Sequence, residues 1–220
     1  MAVNYRVQDD FLNAFFPSRY GADFYLTGGT ALSRFYFHHR ESYDLDLFTQ
    51  NQDLDFSSLI IEIQKIASSL HLDIINQVTT NTYHQFIFEN ENKDRLKVEF
   101  VKDIPVRFGD MQMFGTIRVD SLENIGSNKI LAVFGRTDHK DFIDLYYLLK
   151  QTDFTLDHLI SLAKRKDVGL TEFYLANAIQ DIEKASIKTI LLKPLDQQEY
   201  LSFYQDLAKT LLLKIKPPQT

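Results

Sequence analysis

Residues Tyr25-Leu-Thr-Gly-Gly-Thr-Ala-Leu-Ser33 lead an apolar stretch through a glycine pair into a helix-forming segment, and Arg40-Glu-Ser-Tyr-Asp-Leu-Asp-Leu-Phe48 follow with two carboxylates two residues apart. This order reads as strand, glycine turn, helix, strand. It narrows the architectures open to the chain. Side chains alternate along a strand, so Asp44 and Asp46 share one face while Leu45 and Leu47 occupy the other. The second strand must therefore sit in a sheet with one face packed on a core.

The same residues carry chemistry. Two carboxylates on one strand face repel each other unless a cation lies between them. Hard oxygen ligands on a rigid strand suit Mg²⁺, with Mn²⁺ as the alternative, and such an ion also binds substrate phosphates. Gly28 and Gly29 lack side chains, so backbone N–H groups can approach a phosphate, and Thr30 is expected to cap the helix that follows. Arg40 and Ser42, just before the carboxylates, are placed to contact phosphate or to hold the turn. A lone Gly-Gly is usually only a turn, and a lone Asp-x-Asp usually a solvated strand edge. Their order here is what makes a nucleoside triphosphate site the sharper reading.

Two further groups join these motifs. In Leu96-Lys-Val-Glu-Phe100, Glu99 falls between apolar neighbours on a strand, where a buried carboxylate needs a partner or a metal ion. Pairing of Glu99 with Lys97 or Lys102 on an exposed face is the plainer alternative. In Asn128-Lys-Ile-Leu-Ala-Val-Phe-Gly-Arg136, Lys129 and Arg136 are seven residues apart and share a face if the helix continues that far. Downstream, Phe142, Leu145, Tyr146 and Leu149 form a core stripe, with Lys140, Asp141 and Asp144 off it. Ordinary surface ion pairs on a helix hairpin would give the same pattern.

The chain has 220 residues, 45% of them apolar, enough for a sizeable core. Its 24 Lys and Arg against 30 Asp and Glu leave a net charge of −6, without the overall basic footprint of a dedicated nucleic-acid binder, and leave a local basic patch open. Cysteine is absent, so disulfides and cysteine-ligated zinc are excluded. The six histidines form no ligand constellation, and His38-His39 are too divergent on a helix to serve one metal, though either might be expected to meet a base or ribose. No signal core and no run of about 18 apolar residues is present, so a cytoplasmic protein without a membrane partner is expected.

Expected elements are a helix over 8–16, strands at 24–27 and 43–48, a helix over 30–37 and another over 56–70. Extended segments follow at 72–79, 82–89, 95–101 and 113–119, in antiparallel hairpins. Helices are then expected over 121–134, 139–150, 156–166, 171–185 and 196–214. Residues 151–220 hold nine basic and nine acidic side chains, so the helical tail is neutral and Lys164-Arg-Lys166 reads as a solvated helix end rather than an RNA contact.

Taken together, GGTALS…RESYDLDLF, LKVEF and NKILAVFGR…KDFIDLYYLL resemble the AbiEii-type nucleotidyltransferase toxins, a branch of the polymerase-beta-like nucleotidyltransferase superfamily. The resemblance covers about residues 20–150. It implies an α+β fold, with a nucleotidyltransferase-like mixed sheet and flanking helices over 1–120. A helical lobe over 121–220 would pack against it and complete an active-site cleft. By this resemblance Gly28, Gly29 and Thr30 match the phosphate turn, and Asp44 and Asp46 the metal pair. Glu99 falls where a third carboxylate is often found. Lys129 matches a nucleotide-contacting lysine and Asp141 a later functional acid, while Arg136, Lys140 and Asp144 match positions of the same segment. One departure stands out: the gap between Gly29 and Asp44 is longer than usual, filled by Phe35-Tyr-Phe-His-His39. An extra helical turn or a bulged loop would account for it.

The implied activity is transfer of a nucleotidyl group from an NTP to an acceptor hydroxyl, with tRNA or a protein as acceptor and a cognate antitoxin as partner. Asp44, Asp46 and Glu99 would hold the metal. Glu99 or Asp141 would orient or deprotonate the hydroxyl, and Lys129 and Arg136 would neutralise phosphate charge. A catalytically inert nucleotide- or partner-binding protein on the same fold is the main rival. A metal-dependent nuclease is a weaker one, because Lys97-x-Glu99 reverses the Glu-x-Lys order such sites often use.

Overall fold

The computed structural model describes residues 5–184 and 189–215. These fall into two compact units. One comprises the chain up to Phe35 together with Ser42–Ser121, and the other comprises Tyr36–Glu41 and the chain from Leu122 onward.

The first unit is built on a seven-stranded mixed sheet in the order β3-β4-β5-β2-β1-β7-β6. Its strands are β1 (Tyr25–Thr27), β2 (Asp44–Thr49), β3 (Asp73–Thr79), β4 (Tyr83–Glu89), β5 (Arg95–Lys102), β6 (Gln112–Phe114) and β7 (Ile117–Val119). Strands β3, β4 and β5 form the expected antiparallel meander, but β2 pairs with β5 and β1 with β7 in parallel. The single extended segment expected at 113–119 is a hairpin instead, because Gly115 adopts a left-handed φ of 63° and turns the chain between β6 and β7.

Alternation decides which face is core. Leu45 and Leu47 of β2, Phe86 and Phe88 of β4, and Leu96, Val98 and Phe100 of β5 are buried. Against them pack α1 (Tyr5–Phe15), through Phe11, Leu12 and Phe15, and α3 (Phe56–Ser69), through Leu59 and Ile63. The Phe100 ring meets Phe15 at 5.2 Å and Phe24 edge-on at 5.5 Å. Such aromatic pairs add about 0.5–1.5 kcal/mol beyond their buried area. The opposite face takes Asp44, Asp46, Lys97 and Glu99.

Thr30 is not the helix cap. The chain turns helical at once in α2 (Gly28–Thr30), with Thr27 in the cap position, and continues as a π-helix over Ala31–Phe37. The long gap before Asp44 is filled first by this helical run. The residues there are wound in a wider coil, with i→i+5 bonding, and then run through His39 and Arg40 to β2, with Arg40 bridged to Leu191.

The second unit contains α4 (Leu122–Gly135), α5 (His139–Gln151), α6 (Leu156–Lys166), α7 (Glu172–Gln180) with a 3₁₀ turn over Asp181–Lys184, and α8 (Gln197–Leu213). The residue-185 end expected for the 171–185 helix lies outside the described residues. Side chains of Asp138, Thr155, Thr171 and Asp196 accept from free backbone N–H groups at the starts of α5 to α8 and fix where each begins. Gly126 lets α4 approach α6: a Cβ there would lie 2.9 Å from a Leu159 methyl. No helix among the described residues is long and apolar enough to cross a membrane.

Candidate functional site

Strand pairing brings three of the expected acids together. In the parallel register of β2 and β5, Asp44 lies opposite Lys97 and Asp46 opposite Glu99. Alternation turns all four side chains to the face away from the core. Lys97 Nζ bridges Asp44 Oδ2 at 3.3 Å and Glu99 Oε1 at 3.1 Å. From β4, the Tyr83 hydroxyl donates to Glu99 Oε1 at 2.7 Å. Its own pKa is pushed up to about 12, by burial first and then by the Glu99 hydrogen bond and charge. Burial alone would raise the Glu99 carboxyl, but Tyr83, Lys97 and a hydrogen bond with Asp46 outweigh it and hold Glu99 below its usual value.

The glycine turn sits directly on this face. Gly28 has φ +72°, and a Cβ there would collide with Asp46 Oδ2 and come within 3.2 Å of its Cγ. Only glycine combines that conformation with that approach. Thr30 is buried and hydrogen-bonds the Ser42 hydroxyl at 2.8 Å and the Asp44 carbonyl. Ser42 is buried too, its carbonyl accepting from Gln8 at 3.0 Å. Thr30 and Ser42 thus brace the start of β2 from within the protein. A second internal brace joins distant residues: Thr27 donates to buried Asp120 at 2.7 Å, and Arg107 donates to the same carboxylate at 2.9 Å. These partners are up to 93 residues apart, and nothing local in the sequence marks them.

The donor set suits a hard divalent cation. Asp44 and Asp46 of β2 and Glu99 of β5 present carboxylate oxygens on one sheet face, the ligand type such an ion takes. Among the described residues, however, no three acidic or histidine groups converge on one point. Asp44 and Asp46 are the residues that would hold such an ion.

The remaining expected residues meet in the helical unit. Lys129 is buried, its Nζ 2.7 Å from both Asp141 Oδ1 and Asp144 Oδ2. Arg40, only 4% exposed, grips Asp144 through Nε at 2.6 Å and Nη2 at 2.7 Å. His39 Nε2 meets the same carboxylate at 2.7 Å. Arg136 Nε reaches Asp141 at 2.7 Å from a side chain 57% exposed. Burial opposes charge on Asp144, but Lys129 and Arg40 overcome it and hold the carboxyl well below its usual range. Asp141 and Lys129 keep their charges for the same mutual reason. Arg40 and His39, expected near phosphate and nucleotide, are therefore engaged within the protein, and Asp144 is the hub that spacing did not reveal. Lys140 meets Asp138 at 3.4 Å. In the basic triplet, Lys164 pairs with Glu172 at 2.5 Å and Lys166 donates to Asn124 and Asn128 at 2.6 Å each.

The profile described as nucleotidyl transferase AbiEii toxin, type IV toxin–antitoxin system, matches residues 10–216. The chain belongs to the AbiEii nucleotidyltransferase toxin family. An uncharacterized protein of Aquifex aeolicus is 28% identical over 155 residues, a span of 66% of each protein and so just under two thirds of that relative. The crystal structure of JHP933 from Helicobacter pylori is similar with a TM-score of 0.62 at 20% identity, over 95% of this chain and 90% of that one. MenT4, a nucleotidyltransferase toxin of Mycobacterium tuberculosis H37Rv, is similar with a TM-score of 0.56 at 12% identity, over 96% and 83%. At such identities the two structures establish a shared fold.

Proposed function

We propose that this AbiEii-family protein transfers a nucleotidyl group from an NTP to an acceptor hydroxyl, releasing pyrophosphate, and that tRNA is the acceptor, with protein as the alternative. The observation that carries the reading is the Gly28 turn closed against Asp46 on the face that also presents Asp44 and Glu99. In the transfer, a bond forms between the acceptor oxygen and the α-phosphorus while the bond from that phosphorus to the bridging oxygen breaks.

Asp44 and Asp46 would hold Mg²⁺ or Mn²⁺, which supplies positive charge against the triphosphate. The Gly28–Gly29 turn admits phosphate oxygens to the backbone. Glu99, kept ionised by Tyr83 and Lys97, accepts or orients the proton of the incoming hydroxyl. Asp141 is fully buried with both oxygens engaged, so its part is to fix Lys129 and Arg136. Arg136 is the exposed end of that network. A cognate antitoxin would be the partner that restrains the activity.

Radiolabelled NTPs with Mg²⁺, total tRNA and cell protein test this directly. Label should pass to tRNA with wild type and be lost with Asp44→Ala. No transfer to either acceptor, or transfer undiminished in Asp44→Ala, overturns it. Calorimetric NTP binding without turnover would favour the inert nucleotide-binding reading, which has its own support in Lys97 occupying the acidic face.

A further inference from the structure

Lys97 is the cation of the acidic face. It stands opposite Asp44 in the strand register and two residues before Glu99 on the same side of β5. Its ammonium touches one oxygen of each, at 3.3 and 3.1 Å, and the side chain is only 32% exposed. Burial lowers its pKa, but hydrogen bonds and charge from Glu99 and Asp44 more than offset this, so the ammonium stays protonated. A divalent cation on Asp44 would compete for an oxygen that Lys97 already contacts. Lysine is a point charge on a flexible stem, able to leave when another anion is offered. A bound triphosphate is such an anion.

We propose that the Lys97 ammonium is the resident counter-cation of this site, displaced from Asp44 and Glu99 when a divalent cation enters, so that metal binds weakly alone and tightly with nucleotide. The role assigned to nucleotide rests on the nucleotidyltransferase reading, whereas the competition between Lys97 and metal does not.

The test is Mn²⁺ binding without nucleotide, read from the free-ion paramagnetic resonance signal. Lys97→Met should tighten Mn²⁺ by about fivefold, the scale of a partly exposed ion pair. Lys97→Gln, which keeps length and polarity without charge, should do the same if the methionine variant folds poorly. Lys102→Met is the control: its ammonium donates to the Gln52 carbonyl at 2.7 Å, and its loss should leave affinity unchanged. Asp44→Asn should abolish binding. With a non-hydrolysable triphosphate added, wild type should gain more affinity than Lys97→Met. Unchanged or weaker Mn²⁺ binding in both Lys97 variants overturns the proposal, as does equal gain from triphosphate. Because no acceptor or turnover is involved, a failed transfer assay alongside tightened Mn²⁺ binding would refute the reaction and leave the competition standing.

Discussion

Asp144 is completely buried, and its two oxygens accept from His39, Arg40 and Lys129. Removing one partner of a buried ion group leaves the others uncompensated, so Asp144→Ala should destabilise the protein by about 3–5 kcal/mol in urea unfolding. His39 responds to acid in a definite direction. Burial lowers its pKa below the ordinary 6.5, and the nearby Arg40 and Lys129 charges add to this against the pull of Asp144. The unfolded chain therefore binds this proton first. His39's contribution is complete above pH 6.5 and is lost as pH falls from there toward the folded pKa, at about 1.4 kcal/mol per pH unit. His139 is pushed the same way by burial. Unfolding free energies at pH 8, 6.5 and 5.5 should show this slope. His39→Gln, which can still donate to Asp144, should reduce it, leaving the share that His139 contributes.

Secondary structure was legible wherever the signal is local. The helices from α4 to α8 begin within one residue of their expected starts, because capping side chains and apolar stripes mark them. Strand β2 was legible for a similar reason, its alternation being visible in six residues. The parallel pairing of β2 with β5 was not, since those strands are separated by three other elements and pairing depends on which edges the folded chain brings together. The π-helix over Ala31–Phe37 was also hidden: nothing in ALSRFYF distinguishes it from an α-helix of the same apolar content. Strand β5 serves both faces of the sheet, so its core side can be tested separately. Phe100→Ala removes a ring packed on Phe15, Phe24 and Phe86 and should cost about 3–5 kcal/mol in chemical unfolding.

Across the whole molecule, the chain does not divide at one point in sequence. The six residues Tyr36–Glu41 belong with the helical unit, although they lie between α2 and β2. Their backbone pairs with the segment near Leu191, Glu41 N donating to the Ile190 carbonyl at 2.9 Å and Leu192 N to the His39 carbonyl at 2.9 Å. A fragment starting at Leu122 lacks these residues and leaves buried Asp144 without Arg40 and His39. It should show no cooperative thermal transition by circular dichroism, and adding back a peptide of residues 34–43 should restore one in part. By itself the sequence determined the reaction class to look for: Gly-Gly followed by Asp-x-Asp places small residues and paired carboxylates by local geometry alone. Tertiary structure decided which groups are open and which are engaged. It set Lys97 between Asp44 and Glu99, turned Thr30 and Ser42 inward, and drew Arg40 and Lys129 onto Asp144. The reason is physical: a buried charge must find an opposite one, and that partner is chosen by packing between residues up to 105 positions apart, beyond the reach of any local pattern.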